Sequence, residues 1–319
     1  MSNIISAFIF GRRFHYDDPK RKYLDDRLTE FQEYIRQFNL KTFFPWMKPF
    51  LSILKAREFR KFQETTENLL SFIREETNNH KKRLDPSNAC DYIDSFLIEM
   101  RNRQKINNMS SFSDDMLCGN VHAWFLGGSS TVRTGIEWCL LTMAAYPDVQ
   151  KRVQNEIDSF IGRERLPSWD DHVHLPYTQA VLYECQRWKT ITPLGLLRYT
   201  REDTTVQGYN IPKGTIVMNN IWAVHNDPRY WKNPSEFFPE HFLSQDGTTL
   251  VKPEYFIPFI IGKRSCPGEK LALVEMFLYF VSILQRFTVA LPAGEKPNFD
   301  GIFELNWDAK FHHIRFLFR

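Results

Sequence analysis

The sequence predicts a mainly α-helical protein with small β-sheets, and three observations carry this prediction. Apolar residues recur at helical spacing early in the chain, as at Leu24, Leu28 and Phe31. A long apolar stretch over residues 116–145 is typical of a helix that crosses a whole domain. After Pro193 the pattern changes to short segments of β-forming residues, separated by glycine and proline turns.

Helices are predicted wherever the helical spacing continues between helix breakers. Pro86 and Pro147 each end a helix, because proline cannot extend its hydrogen-bond ladder. Ser113 and Asp114 provide an N-terminal cap for the long apolar helix. At 1.5 Å per residue that helix would be about 45 Å long, so its middle should be buried. The predicted helices are residues 23–38, 53–83, 92–104, 116–145, 148–161, 177–188 and 271–284.

Short strands are predicted in the last third of the chain, with residues 208–214 as a turn. Residues 226–247 are rich in Pro, Asn, Asp and aromatic residues, which indicates an irregular coil held in place by its rings. The predicted strands are residues 194–199, 204–206, 215–219, 287–291 and 311–318.

Composition excludes several classes of protein. Of the 319 residues 43% are hydrophobic, enough for a large core, and the net charge of +3 argues against a nucleic-acid partner. The five cysteines are odd in number and form no Cys-x-x-Cys pair, which argues against a disulfide framework or a zinc site and favours a reducing compartment. No stretch reaches the length that spans a bilayer, so we expect no membrane anchor in this chain.

Residues 259–268 are the strongest candidate for chemistry. Cys266 lies between Gly262 and Gly268, and Pro267 and Glu269 indicate that a helix begins there. Free amide N–H groups and the helix dipole at such a start should lower the pKa of the thiol and give a metal-binding thiolate. The glycines would let the backbone bend sharply beside a large flat group.

These features fit a haem site with one cysteine ligand. Arg264 offers a fork of donors suited to a carboxylate, and a thiolate ligand pushes electron density onto haem iron. The alternative is that Cys266 is a buried structural thiol.

Residues 127–131 form a second candidate, inside the long helix. Two adjacent glycines, Gly127 and Gly128, cost about 1 kcal/mol each there, so something should approach closely. The Thr131 hydroxyl can bond the Gly127 carbonyl and open a notch for O₂ and proton-carrying water. The alternative is a close contact between helices through glycine, with Thr131 only packing.

Three segments resemble the cytochrome P450 family, in its animal microsomal branch. Every fixed position of Phe259-x-x-Gly-x-Arg-x-Cys-x-Gly268 matches its haem-binding loop. Residues 127–132 resemble its oxygen groove, although Ser130 replaces the acid and Val132 the second threonine. Glu184 and Arg187 match its Glu-x-x-Arg helix.

The partner segment of that helix, residues 239–242, reads Pro-Glu-His-Phe, with His241 where the family has arginine. A neutral histidine should hold the coil less firmly. The resemblance covers essentially the whole chain, while the N-terminal third of the family, with its membrane anchor, is not matched.

The resemblance implies roles for individual residues. Arg198, like Arg264, would meet a haem propionate; the alternative for Arg198 is an ordinary arginine at a strand end. Glu184, Arg187 and His241 would support the haem loop structurally. The implied site comprises Cys266 as iron ligand; Thr131 and Gly128 for oxygen and protons; Arg264, Arg198, Phe259, Gly262 and Gly268 around the haem; and Val121, Trp124, Phe125, Gly127, Leu194 and Leu197 at the substrate.

The resemblance also implies an activity. The implied activity is that of a haem-thiolate monooxygenase, which carries heme b and inserts one oxygen atom of O₂ into a lipophilic small molecule. Because no dinucleotide-binding glycine motif occurs, electrons should come from a partner protein. The resemblance implies that this partner is NADPH-cytochrome P450 reductase, with cytochrome b5 as a further partner. The location implied is the cytosolic face of the endoplasmic reticulum membrane. The alternative is a truncated or atypical haem-binding protein without turnover.

In this interpretation residues 1–319 are a single partial cytochrome P450 domain. Its expected parts are a helical region at 1–110, the oxygen-groove helix at 111–146, further helices at 147–192, strands and coil at 193–258, the cysteine loop and its helix at 259–286, and C-terminal strands at 287–319.

Overall fold

A computed structural model describes residues 2–43, 56–106, 112–303 and 306–319 of the chain. These residues form two compact units, Met1–Ser130 and Thr131–Arg319. The first unit is helical, and the second combines helices with short antiparallel strand pairs. One long helix, Asp114–Ala145, begins in the first unit and continues into the second.

The first unit contains α1 Ser2–Phe10, α2 Pro19–Phe43, α3 Ala56–Arg83, α4 Tyr92–Lys105 and the start of α5 Asp114–Ala145. Helix α1 ends at Gly11, whose φ of 65° is the left-handed conformation that glycine adopts at little cost. The Asn3 side chain then ties the following loop, exchanging two hydrogen bonds of 2.7 and 2.8 Å with the Phe14 backbone. Buried apolar side chains fill the core, among them Ile5, Ile9, Phe10, Leu24, Leu69, Ile73, Ile93, Leu117, Val121 and Phe125.

The second unit contains the rest of α5 and the helices α6 Pro147–Phe160, α7 Pro176–Trp188, α8 Ile221–His225 and α9 Glu269–Arg286. Two 3₁₀ turns, Trp169–His174 and Pro239–Phe242, connect them. The buried Gln150 amide of α6 bonds both the N–H and the C=O of Val289, at 2.6 and 2.8 Å. These bonds fix the helix against the strand that follows α9.

Four antiparallel pairs complete the second unit. Strand β1 Arg198–Tyr199 pairs with β4 Ile216–Val217, and β2 Thr204–Val206 pairs with β3 Tyr209–Ile211. Strand β5 Phe287–Ala290 pairs with β8 Arg315–Phe318, and β6 Gly301–Phe303 pairs with β7 Trp307–Ala309. The coil between β4 and α9 is pinned by its aromatic side chains, because Trp231, Phe242 and Phe256 pack on Ala180 of α7.

The predicted fold class, mainly α with small sheets, is confirmed, and most helix ends agree within a few residues. Several strand predictions are wrong. Residues 209–211 were expected in a turn but form β3. Of residues 194–199 only the last two pair as a strand, and of residues 311–318 only the last four. Strands β6 and β7 were not predicted. Short strands are determined by their partner across the hairpin, and a single-sequence pattern does not contain that information. No helix among the described residues has the length and apolarity needed to cross a bilayer.

Candidate active site

The cysteine loop of the second unit is shaped by its own backbone. The Cys266 N–H donates to the Phe259 carbonyl at 2.9 Å, and the Ser265 N–H donates to the Gly262 carbonyl at 3.0 Å. Ile260 and Gly262 have φ of 63° and 82°, so the chain turns twice in left-handed conformations. A Cβ at Gly262 would meet no atom within 4 Å, so the loop faces open space at that point. Helix α9 begins three residues after the exposed Cys266.

The electrostatics of Cys266 differ from the prediction. The backbone amides of Gly268 and Glu269 hydrogen-bond to the thiol and lower its pKa, as a helix start should. Partial desolvation by the loop is larger, and together with the Glu269 carboxylate it raises the net pKa of the thiol above 9.0. The prediction that the loop alone lowers this pKa is therefore wrong. A bound cation would have to supply the remaining stabilisation of the thiolate.

Arg198 of β1 reaches the same loop. Its Nη2 donates to the Arg264 carbonyl at 3.0 Å, so two guanidinium-bearing residues meet beside the cysteine loop. The segment before β1 also packs on the loop, because a Cβ at Gly195 (φ 58°) would lie 3.2 Å from Ile260 Cδ1. Leu194 and Leu197 on this segment are half-buried. The second unit thus brings together Cys266, Arg264, Arg198, Phe259, Gly262, Gly268, Leu194 and Leu197.

Helix α5 presents the predicted notch residues differently from one another. Gly128 is a close contact between helices, since a Cβ there would lie 2.5 Å from Ile5 Cδ1 of α1. Gly127 is exposed, and a Cβ there would meet nothing within 4 Å. Ser130 is buried and Thr131 is half-buried. Gly128 therefore fits the alternative interpretation, a close contact between helices through glycine. Gly127 instead leaves the surface of the helix open.

Glu184 and Arg187 form a fully buried ion pair within α7. Two parallel hydrogen bonds of 2.7 Å join the guanidinium to the carboxylate, and both side chains are 0% exposed. Arg187 also donates to the carbonyl oxygens of His225, Pro234 and Glu236 at 2.8–3.0 Å. Every charged atom of this pair is therefore satisfied, which a buried pair requires.

His241 joins the network from the 3₁₀ turn. Its Nδ1 lies 3.2 Å from Glu184 Oε2, and its Nε2 lies 2.6 Å from the Lys232 carbonyl. Both ring nitrogens thus face oxygen acceptors. The expectation that a neutral ring holds the coil less firmly stays a prediction.

His225 carries the network on to the cysteine loop. The Ile257 N–H donates to His225 Nε2 at 3.0 Å, so Nδ1 carries the proton and points to Thr190 Oγ1 at 3.0 Å. Burial lowers the pKa of His225 to about 3, which keeps the ring neutral and able to accept this bond. A continuous chain of bonds therefore runs from the buried pair on α7 to a point two residues before Phe259.

Comparison with known proteins identifies the family to which the chain belongs. The sequence profile of the family described as "Cytochrome P450" matches residues 1–306. The chain belongs to the cytochrome P450 family. Members of this family are haem-thiolate proteins in which a cysteine ligates the iron.

Several mammalian P450s are similar to this chain. It is 40% identical over 306 residues to "Cytochrome P450 2U1" of Mus musculus, covering 96% of this chain and 57% of that protein. It is 39% identical to the Homo sapiens protein of the same name, over 96% of this chain and 56% of that one. It is also 39% identical to "Cytochrome P450 2D6" of Homo sapiens, over 95% and 60%. The chain therefore spans somewhat more than half the length of these relatives.

The residues in and beside the cysteine loop fit a haem group. The loop exposes one thiol at a helix start, which is the donor that thiolate-ligated haem requires. The exposed Arg264 and the half-buried Arg198 meet beside it and can pair with two propionates. The open space above Gly262 leaves room for a flat ring against the loop.

Two predicted pocket residues lie in the core of the first unit, and a third, Trp124, is half-buried. Val121 and Phe125 are 0% exposed, and the ring of Phe125 packs 5.5 Å from that of Phe10. Trp124 packs edge-on against Phe8 at 5.1 Å. A residue that lines a pocket must present surface to it, and Val121 and Phe125 present none. Their burial reflects the apolar stripe of α5, which serves core packing.

The open face of α5 has small side chains that sequence reasoning missed. The missed residues are Gly119 and Ala123, which are exposed and share one face of the helix with the predicted Gly127 at intervals of four residues. That spacing was the available signal. Gly135 was also missed: a Cβ there would lie 3.0 Å from Met276 Cε of α9 and 3.1 Å from Ile191 Cδ1, so it sets how closely α5 approaches α9.

Proposed function

We propose that the protein is a haem-thiolate monooxygenase that inserts one oxygen atom of O₂ into a lipophilic small molecule. The observation that carries this proposal is the exposed Cys266 at the start of α9, in a loop whose every fixed position matches the family pattern. In this proposal residues 1–319 are one partial P450 domain.

Each site residue has a role in this proposal. Cys266 holds the group by its sulfur, while Arg264 and Arg198 bind the two carboxylates and orient it. Bound haem would supply the iron at which O₂ is activated. Phe259, Gly262 and Gly268 shape the loop, and Glu184, Arg187 and His241 hold it in place through His225 and Ile257.

The oxygen side of the site is assigned to α5. Thr131 would pass protons through its hydroxyl. Gly127 and Gly128 place no side chain on the helical turn that precedes it. Leu194 and Leu197 of the second unit would contact the substrate, and their apolar character favours a lipophilic one. Within the first unit, Val121 and Phe125 would support the open face of α5 at Gly127 from the core, and the half-buried Trp124 packs on Phe8.

The proposed electron donor is NADPH-cytochrome P450 reductase, with cytochrome b5 as a second donor. The proposed location is the cytosolic face of the endoplasmic reticulum membrane. The resemblance to animal microsomal P450s supports both assignments. A second candidate function, haem binding without turnover, is favoured by one observation: buried Ser130 replaces the acid of the groove.

Carbon monoxide difference spectroscopy of the reduced, haem-loaded protein tests thiolate ligation. We expect the wild type to show the red-shifted Soret band of a thiolate-ligated carbon monoxide complex, and we expect Cys266→Ala to lose it. Cys90→Ala is the matched control, because Cys90 is the other exposed cysteine, and it should keep the band. A wild type that binds haem without this band, or a Cys266→Ala variant that retains it, would refute the assignment.

NADPH consumption with added reductase then separates the two candidate functions. A monooxygenase consumes NADPH faster when a lipophilic substrate is present and forms a hydroxylated product. A haem-loaded protein with the thiolate band but without product would favour the second function.

A further inference from the structure

A buried polar cluster in the first unit lies far along the chain from every proposed haem residue. It joins the end of α3 to the start of α4 through His80, Asp91 and Asp94. One ligand-type atom from each of the three residues lies within 4.8 Å of the others. The His80 and Asp91 side chains are only 1% and 0% exposed, and Asp94 is 6% exposed. No sequence motif singled out these residues.

The hydrogen bonds of His80 cannot all be satisfied at once. Its Nδ1 lies 2.7 Å from the Glu76 carbonyl and must donate to it. Its Nε2 lies 2.9 Å from Asp91 Oδ2, an acceptor, and 2.7 Å from Arg83 Nη2, a donor. If Nε2 carries a proton it opposes the arginine, and if it carries a lone pair it opposes the carboxylate.

Asp94 adds an unpartnered charge to the cluster. Its Oδ2 accepts from the Cys90 N–H at 3.3 Å, but its Oδ1 is buried and has no hydrogen-bond partner among the described residues. The Asp91 Oδ1 is already used, since it accepts from the Asp94 N–H at 2.8 Å as the cap of α4. A buried carboxylate oxygen without a partner costs about 1–3 kcal/mol or more, so it points to a missing cation or donor.

We propose that His80 Nε2, Asp91 Oδ2 and Asp94 Oδ1 bind one divalent transition-metal ion of the zinc class. One imidazole and two carboxylates are ligands that Zn²⁺ takes in proteins. The Nδ1–H bond to the Glu76 carbonyl is the outer contact that fixes the tautomer and aims Nε2 at a metal. A cation here satisfies the histidine lone pair, the Asp91 oxygen and the Asp94 oxygen together.

Arg83 is the competitor for this position. Its guanidinium occupies the Nε2 side of the cluster, but its side chain is 58% exposed and can swing into water. Tetrahedral ligands about 2.0–2.1 Å from Zn²⁺ lie roughly 3.3 Å apart. The 2.9 Å between His80 Nε2 and Asp91 Oδ2 is close to this separation. Rotation of the Asp94 side chain would bring its oxygen to a similar distance from these two atoms. The ion would then clamp α3 to α4.

Zinc titration calorimetry on the whole chain tests the proposal. We expect the wild type to bind one more Zn²⁺ equivalent than Asp94→Asn, or to bind it at least about tenfold more tightly. Arg83→Gln should bind Zn²⁺ at least as tightly as the wild type, because the competing guanidinium is gone. Cys90→Ser is the matched control: this exposed cysteine is next to the cluster and should not matter.

X-ray absorption on the wild type loaded with one Zn²⁺ equivalent gives a second readout that needs no variant. Nitrogen and oxygen ligands at about 2.0–2.2 Å would support the site, and sulfur at about 2.3 Å would place the ion at cysteines. Equal Zn²⁺ binding by the wild type and Asp94→Asn, a sulfur shell, or loss of binding in Cys90→Ser would each overturn the proposal. Circular dichroism checks that Asp94→Asn remains folded.

Discussion

Thr131 is the residue whose proposed role is most specific. A hydroxyl in the middle of α5 can pass a proton, whereas a methyl group cannot. We expect Thr131→Ala to keep the carbon monoxide signature of the haem but to divert more NADPH to hydrogen peroxide. The measurement is the ratio of peroxide formed to NADPH consumed with reductase present.

Thr131→Ser is the matched variant, because it restores the hydroxyl and should restore the wild-type ratio. An unchanged ratio in Thr131→Ala would remove this role from the hydroxyl. Thr134, one turn further along α5, is a less suitable comparison because its hydroxyl bonds the Asp308 carboxylate.

Substitutions at two residues of α5 test which face of this helix is open and which is packed in the core. Ala123 is exposed, and Phe125 is fully buried against Phe10. We expect Ala123→Phe to leave the free energy of unfolding nearly unchanged, because this side chain is exposed. Phe125→Ala should instead cost about 3–5 kcal/mol of stability, because it leaves a cavity.

Urea unfolding measures the stability of both variants, and ligand titration measures the affinity of Phe125→Ala. If Phe125→Ala altered ligand affinity without loss of stability, the pocket would include Phe125 and our reassignment would fail.

At the scale of elements, the buried pair of α7 holds the coil that leads to the cysteine loop. Removal of one partner leaves an uncompensated charge in the core. We expect Arg187→Ala to lower the free energy of unfolding by about 3–5 kcal/mol. Arg133→Ala is the control: Arg133 and Glu137 form an exposed pair on α5, 3.7 Å apart, which is worth at most about 0.5 kcal/mol. Similar losses in the two variants would contradict a special role for the α7 pair.

His241 is a second test of the same coil. Because both its nitrogens face acceptors, a permanent cation should serve as well as the histidine. We expect His241→Arg to keep the stability of the wild type, and His241→Ala to lose about 1–3 kcal/mol because buried Glu184 loses a hydrogen-bond partner. A loss of stability in His241→Arg as large as in His241→Ala would show that ring packing against Trp231, rather than charge, is what matters.

For the whole molecule, two buried groups give opposite pH dependences. Burial raises the pKa of Glu275 on α9 to about 7, from an ordinary value of 4.5, and both its carboxylate oxygens lack hydrogen-bond partners among the described residues. The folded state therefore holds this proton where the unfolded chain has released it. Its stabilising effect is present below pH 4.5 and is lost as the pH rises through 7.

The neutral His225 has the opposite effect. Its pKa is lowered to about 3 from 6.5, so its contribution is complete above pH 6.5 and is lost as the pH falls towards 3. Stability should thus decline on both sides of a weakly acidic range.

Glu275→Gln isolates the alkaline side of this profile. We expect the variant to be more stable than the wild type above pH 7, by an amount on the order of 3 kcal/mol, and to differ little near pH 4.5. Urea unfolding at several pH values measures the difference. A constant difference between wild type and variant across this range would show that Glu275 does not titrate in the folded protein.

Much of the fold and the centre of the site could be predicted from local patterns. The long apolar run and its cap predicted α5, and Pro267 and Glu269 after Cys266 predicted a cysteine at a helix start. Such features depend on residues close together in sequence, whose geometry the backbone itself largely determines. Residues 107–111, between α4 and α5, lie outside the described part of the chain.

Other properties of the site depend on neighbours distant in sequence. The burial of Val121 and Phe125 follows from α1 packing on α5. Strand β3, the approach of α5 to α9 at Gly135, and the links from Glu184 to His225 and Ile257 likewise join residues that no local pattern connects.

By itself the sequence determined the family and the helical class and made Cys266 the candidate iron ligand, because a short motif specifies backbone bends and ligand chemistry through neighbouring residues. Only the tertiary structure decided which face of α5 is open, how the buried charges of α7 are satisfied, and that His80, Asp91 and Asp94 meet. Burial and hydrogen-bond partners are properties of the folded arrangement, and they set charge, exposure and affinity.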